Sequence, residues 1–371
     1  MPLPVESSIA IAGAGLAGRL LAWKLLSAGH AVTLFEAGRF DKPLSAAHTA
    51  AAMISPMSEV VVSERAIYDM GLRSLELWPQ WLDALSVGVD KPVSYSANGS
   101  IVVAHAHDLS ELEQFRADLD YHLGADNNAR RLSRSELREL EPDLSGQFDG
   151  GLYLPGEAHL DNRNLLDALL TAIRKLGGRC LEEQPLKLTP DELDEDLLNG
   201  FDLCIDCRGL GASSAQQPLR GVRGEVLWVT TDEVHFQHPI RLMHPRYRLY
   251  VVPKPGGRFI IGATEIESED RSPVSVQSML ELCSALYTLN PAFAEARILE
   301  LDSNLRPAFL DNMPRVELTS LMSTDGNRRL PRLNINGLYR HGYLLAPKLV
   351  EDALQQIAAI TDPHTRVEPS L

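Results

Sequence analysis

A mixed fold, α/β at the N-terminus and α+β further along, is what this sequence predicts, and two patterns predict it. The first forty residues run strand, glycine turn, helix, strand, acid, the order of a parallel nucleotide-binding unit. From Val222 onward the apolar residues fall into short β-rich runs separated by turn residues. The chain has 371 residues, 44% of them hydrophobic, enough for one large domain or two interleaved ones. Thirty-five Lys+Arg against fifty Asp+Glu give a net charge of −15. That balance argues against nucleic acid held by phosphate contacts and against an anionic lipid surface.

The N-terminal unit is specific in its physics. Ile9-Ala-Ile-Ala is an apolar strand and Gly13-Ala14-Gly15-Leu16-Ala17-Gly18 is the turn. Gly13 allows a tight turn, and Gly15 lets backbone N–H groups approach a pyrophosphate. Gly18 lets helix and strand pack closely, and the helix N-terminus at Leu16 and Ala17 favours negative charge. A helical pattern of Leu20, Leu21, Trp23, Leu25 and Leu26 ends at Gly29. The second strand, Ala31-Val-Thr-Leu-Phe, ends on Glu36, placed to accept hydrogen bonds from ribose hydroxyls. An acid there disfavours a 2′-phosphate, which leaves NAD or FAD.

Further along, Glu64 to Leu85 reads as a long amphipathic helix, Ser100-Ile-Val-Val-Ala as a strand and Leu109 to His122 as a helix. Ser133 with Glu136 forms a capping box, and Asp161 caps a helix through Leu176 that stops at Gly177-Gly178. Leu186 to Gly200 is acidic and poorly periodic, as an exposed excursion would be. Gly224-Glu-Val-Leu-Trp-Val, Leu249-Tyr-Val-Val-Pro and Phe259-Ile-Ile-Gly are strands, with Pro255-Gly256-Gly257 a hairpin turn. A helix follows at Val274 to Leu289. After Arg306-Pro307 the chain reads as loop with one strand, Leu333 to Asn336, then a last helix, Leu344 to Ile360, and a disordered tail after Thr361.

Several chemistries are excluded or disfavoured. Four cysteines are too few for a disulfide scaffold, and Cys204-x-x-Cys207 sits in what reads as a buried strand. His48, His244 and His341 lack metal-ligand spacing, so no metal site is expected. There is no G-x-S-x-G and no P-loop, hence no hydrolase or NTPase reading. No apolar run approaches the roughly 18 residues of a membrane span. Met1 to Ser8 has no basic n-region, so the expected location is a reducing cytoplasm.

Taken together, the glycine motif with Glu36, Ala50-Ala-Ala-Met53, Tyr250-Val-Val-Pro-Lys, Ile261-Gly-Ala-Thr264, Leu305-Arg306-Pro307 and Gly337-Leu-Tyr-Arg340-His-Gly-Tyr-Leu-Leu-Ala-Pro347 resemble the D-amino-acid oxidase superfamily of flavoenzymes. Arg220-Gly-Val-Arg-Gly-Glu225, His244-Pro-Arg-Tyr-Arg-Leu-Tyr250 and Ile335-Asn-Gly-Leu-Tyr-Arg-His-Gly342 look most like the thiamine-pathway glycine oxidases. The resemblance implies a Rossmann-like, discontinuous FAD-binding domain (1–88, 151–218 and 302–371) and an antiparallel-sheet substrate domain (89–150 and 219–301). It implies non-covalent FAD and oxidation of a small amino acid to an imine. Oxygen would regenerate the flavin and yield hydrogen peroxide, in the service of thiamine biosynthesis. A homo-oligomer is compatible with it. The rival readings are a dehydrogenase of sarcosine, proline or a D-amino acid that uses a quinone acceptor, a flavoprotein that modifies RNA, and a flavin-binding module without turnover.

The resemblance places cofactor contacts at Gly13, Gly15, Leu16, Ala17, Gly18 and Glu36, at Thr49, Ala50, Ala51 and Ala52, and at Gly337, Tyr339, Arg340, His341, Gly342, Tyr343 and Leu344. An amino-acid oxidase needs few protein groups beyond these, because the flavin carries the difficult chemistry. Arg306 is the candidate for the substrate carboxylate, since a guanidinium forks onto it with two parallel hydrogen bonds; the plain alternative is a structural arginine. Arg340 either assists the carboxylate, places positive charge beside the flavin ring, or faces solvent. Tyr250 either reaches the carboxylate or packs on its strand. Met53 either faces the flavin or fills core. Glu265 stands where the resembled family carries an apolar residue; it either binds or deprotonates the substrate ammonium or is a strand-end acid facing water.

Overall fold

The computed structural model describes residues 6–361, apart from 126, 145, 190–191, 216, 246–248, 324–325 and 327. The expected disordered tail and part of the motif between His244 and Tyr250 lie outside the described residues. Two sheets organise the chain. The first has six strands in the order Arg315–Met322, Arg329–Asn336, Leu203–Asp206, Ser8–Ala12, Ala31–Phe35 and Arg179–Leu181. All its pairings are parallel except the hairpin between Arg315–Met322 and Arg329–Asn336. The N-terminal unit forms as its sequence requires: helix Leu16–Ser27 leaves the glycine turn, and Gly29 beyond it takes φ of +92°.

The second sheet has eight strands in the order Arg297–Ala308, Arg220–Thr230, Arg258–Gly262, Leu249–Lys254, Ile240–Met243, Ser100–Ala104, Gly150–Leu154 and Arg130–Ser133. It is antiparallel but for one pair, Ile240–Met243 with Ser100–Ala104, where two distant stretches of chain meet. Helix Arg65–Ser86 lies on helix Gly342–Thr361, and the indole N–H of Trp78, fully buried, donates to the Tyr343 carbonyl at 2.9 Å. The capping box at Ser133 and Glu136 and the Asp161 cap on helix Asn162–Lys175 both form; each cap contributes about 1 kcal/mol.

Two readings of the sequence need correction. The stretch after Arg306-Pro307 is not mostly loop: Arg315–Met322 and Arg329–Asn336 are full strands, and Arg306 and Pro307 themselves lie near the end of a third, Arg297–Ala308. Arg297–Ala308 pairs only with Arg220–Thr230, so it is an edge strand that can hold Pro307 without breaking a ladder. Arg315–Met322 is also an edge, mostly half-buried or exposed, so no clean alternation marks it. The acidic segment 186–200 is not simply an exposed excursion. Leu186, Leu188 and Leu198 are buried in a small core with Phe35, Cys204, Leu321 and Leu330. Burial pushes the Cys204 thiol up to about 12, and Cys207 is raised too, so neither forms the thiolate that redox chemistry needs.

Candidate active site

One cavity of about 1250 Å³ runs from the glycine turn, past the loop before Met53, to the eight-stranded sheet. At its first end the three glycines do different jobs. A β-carbon at Gly13, whose φ is +94°, would lie 2.6 Å from the Cys207 carbonyl oxygen. One at Gly18 would lie 2.0 Å from the Gly13 carbonyl oxygen. Both are required by packing. At Gly15 a β-carbon would meet only Ser45 Cβ, at 3.6 Å, so this glycine keeps the space above the helix N-terminus clear. Helix Leu16–Ser27 has no side-chain cap and no acid in its first turn, which leaves its free N–H groups for an anion. Glu36 accepts from Ala14 N at 2.8 Å and Gly38 N at 3.0 Å, and its carboxylate lines the cavity. Glycines that clear the backbone, an uncapped helix and an acid after the second strand together fit a dinucleotide such as FAD.

The middle of the cavity is walled by Ala50, Ala51, Ala52 and Met53. Ala52 takes φ of +54°, a left-handed backbone costing about 1–2 kcal/mol for an alanine. Two anchors hold this loop. Thr49 Oγ1 donates to Asp302 at 2.7 Å, and the buried Lys254 ammonium donates to the carbonyls of Ala51 (2.7 Å) and Leu160 (2.5 Å). Burial brings Lys254 down to about 7 despite the nearby Asp161. Across the cavity lie Gly342, Tyr343 and Leu344, the first residues of helix Gly342–Thr361, whose N-terminus also favours negative charge. The Tyr343 hydroxyl donates to the Ala47 carbonyl at 2.9 Å, tying the two walls together. Gly18 and Gly337 are not in the wall: Gly18 serves packing, and Gly337 turns the chain with φ of +75° where a β-carbon would strike Phe309.

At the far end Arg306, Tyr250, Glu265, Tyr339, Arg340 and His341 converge. Among the described residues Arg306 forms no ion pair. It donates to the Thr264 carbonyl at 3.2 Å from both Nη1 and Nη2, and more weakly to Arg223 O at 3.4 Å. Its guanidinium lies over Gly224, where a β-carbon would come within 2.3 Å of Nη2. Thr264 is fixed in turn by its hydroxyl, which donates to Glu225 at 3.2 Å. Tyr250 packs over Gly262 and belongs to an apolar patch with Met53, Ala263, Ala51, Val226 and Trp228. Burial raises the Tyr250 hydroxyl above its ordinary range, although Arg306 and Arg241 oppose this, so it is a donor at neutral pH.

Arg340 is different. Its Nε and Nη2 meet Glu59 at 2.9 and 2.8 Å, and its Nη1 meets Glu265 at 3.0 Å. Its guanidinium therefore neither faces solvent nor presents a free fork. Glu265 also accepts from the Tyr339 hydroxyl at 2.5 Å. Burial alone would raise Glu265, but Tyr339, Arg340 and Arg306 hold it below the ordinary carboxylate range. A carboxylate held low takes a proton poorly, so the geometry favours an electrostatic role over a proton-accepting one.

The residue that sequence reading missed is Glu59, on the short helix Pro56–Val60. Besides Arg340 it meets His341 Nδ1 at 3.2 Å and Arg241 Nη2 at 3.5 Å. Burial alone would raise its pKa, but Arg340, His341 and Arg241 pull it well below the usual carboxylate range. The available signal was a lone acid in the otherwise uncharged run Met53 to Val62. Glu59→Ala strands two arginines, and breaking a mostly buried pair costs about 3 kcal/mol or more. A clear drop in melting temperature at pH 7 is expected. An unchanged melting curve would show that the cluster adds nothing to stability.

Residues 8–349 match the family described as FAD dependent oxidoreductase. The chain belongs to that family. It is thus an FAD-dependent oxidoreductase, and the nucleotide end of the cavity is where such a cofactor fits. Over 356 residues it is 36% identical to a Rhizobium etli protein carrying the provisional name thiamine biosynthesis oxidoreductase ThiO, covering 94% of this chain and 96% of the other. It is 25% identical over 350 residues to the glycine oxidase of Geobacillus kaustophilus, covering 91% and 89%. The glycine oxidase structure from Bacillus cereus superposes with a TM-score of 0.77 at 22% identity, covering 97% of this chain and 99% of that one, and so shares the fold. No helix among the described residues is long and apolar enough to cross a membrane.

Proposed function

We propose that this FAD-dependent oxidoreductase oxidises glycine or another small amino acid at its Cα–N bond, giving an imino acid that water converts to ammonia and an oxo acid. The observation that carries this is Arg306, a guanidinium in the cavity wall with carbonyls but, among the described residues, no acid for partners. FAD held by the glycine turn, Glu36 and the loop of residues 50–52 would supply the two-electron acceptor, with molecular oxygen as the final oxidant and hydrogen peroxide as its product. Arg306 forks onto the substrate carboxylate, and the Tyr250 hydroxyl donates to it. Met53, Ala51 and Ala52 wall the space around Cα. The six-stranded side would hold the cofactor and the eight-stranded sheet the substrate; strands Gly150–Leu154 and Arg297–Ala308 lie in the eight-stranded sheet, so residues 151–154 and 302–308 would move from the cofactor side of the division given above to the substrate side. The name of the Rhizobium etli relative supports a place in thiamine biosynthesis.

The same walls set a size limit. Tyr250 and Met53 belong to one apolar patch on the cavity wall, and on this reading they flank Cα and crowd a large side chain. Steric overlap excludes more strongly than the roughly 1–3 kcal/mol that one methylene contributes in an apolar pocket. Peroxide release measured over a substrate panel should therefore show glycine, sarcosine and D-alanine ahead of D-phenylalanine in kcat/KM. D-phenylalanine or D-arginine ahead of glycine would defeat the small-substrate reading. Turnover of glycine with a quinone but without peroxide would replace oxygen as acceptor.

A further inference from the structure

Arg340 is held from two unequal sides. On one side Glu59 is mostly buried and shared with His341 and Arg241. On the other, Glu265 has a side chain 47% exposed and lines the cavity beside Arg306 and Tyr339. Removing Glu59 would dismantle the cluster, whereas removing Glu265 would uncover only Nη1 of Arg340 and the Tyr339 hydroxyl. Of Arg306, Arg340 and Arg241 in this part of the wall, Arg306 is open to a carboxylate, whereas Arg340 and Arg241 are met by the chain's own acids.

We propose that Glu265 is a specificity-determining residue: by covering Arg340 it leaves Arg306 as the open guanidinium among Arg306, Arg340 and Arg241, so the site takes monocarboxylate amino acids and rejects dicarboxylates. This rests on the amino-acid reading of the cavity. A second substrate carboxylate near Arg340 would have to displace Glu265 and then remain beside a like charge. Rejection by an unfavourable charge is as effective a source of selectivity as a new attraction. The Arg340–Glu265 pair is half exposed, so it contributes little to stability and its removal leaves the fold standing. Tyr339 keeps the carboxylate turned toward the wall by donating to its other oxygen.

The test is calorimetric binding of acetate, malonate and succinate to the FAD-loaded enzyme, for wild type, Glu265→Ala and Glu265→Ala/Arg340→Gln. Loss of Glu265 also strengthens Arg306 toward any anion, so the quantity that decides is the ratio of dicarboxylate to acetate affinity. It should rise about tenfold in Glu265→Ala, the value of one charge-assisted hydrogen bond gained, and fall back in the double variant. Glu265→Gln, which keeps the shape, should move the ratio in the same direction by less. An unchanged ratio in both single variants, or a rise that survives loss of Arg340, would overturn the assignment of Glu265 alone. Failure of wild type to bind acetate at all would overturn the carboxylate reading of the cavity and this proposal with it.

Discussion

Gly15→Val yields a folded but colourless protein. The helix cap at residue 15 has φ of −71° and ψ of −168°, an extended conformation open to valine, and the nearest atom to a new β-carbon is 3.6 Å away. The chain therefore accepts the side chain, and the methyl groups enter the space where backbone N–H groups must approach the pyrophosphate. Flavin content should fall to roughly a tenth of wild type or less. The same change at Gly13 or Gly18 would test nothing, because the protein's own backbone lies 2.6 and 2.0 Å from those β-carbons. Normal circular dichroism with lost yellow colour is the expected pair of results. Full flavin content in Gly15→Val would remove the cofactor from this end of the cavity.

Arg306→Ala should reduce kcat/KM for glycine by about a hundredfold or more, while flavin content stays normal. Two charge-assisted hydrogen bonds to a carboxylate contribute on the order of 1.5–3 kcal/mol each, and their loss removes both binding and orientation. Most of the effect should appear in KM, the signature of ground-state binding. Arg306→Lys keeps the charge but not the fork and should fall between the two. An unchanged KM for every accepted substrate would return Arg306 to a structural role.

What the sequence made legible was local. The glycine turn and Glu36 were readable because strand, turn, helix and acid follow one another within forty residues, and each glycine answers a backbone requirement. Arg306 was a candidate only through its resemblance to a family motif, since nothing in spacing alone separates a substrate arginine from a structural one. Arg340 was a candidate in the sequence and lies in the cavity wall, but its geometry was not legible. Its partner Glu59 is 281 residues away in the chain, and no local pattern reports which charges the fold will pair. The Glu59 cluster and the Lys254 anchor on Ala51 are long-range contacts of this kind. The strands at Arg297–Ala308 and Arg315–Met322 were hidden for another reason: half-exposed edge strands mix charged and apolar residues and lose the period of two.

The most direct measurement compares glycine with methylamine, the same amine without its carboxylate. Each is mixed anaerobically with the purified yellow enzyme and flavin absorbance is followed. If Arg306 positions the amine through the carboxylate, glycine or sarcosine should bleach the flavin and methylamine should not. Bleaching by methylamine at least as fast as by glycine, or no bleaching by any small amino acid, would contradict amino-acid oxidation anchored on Arg306.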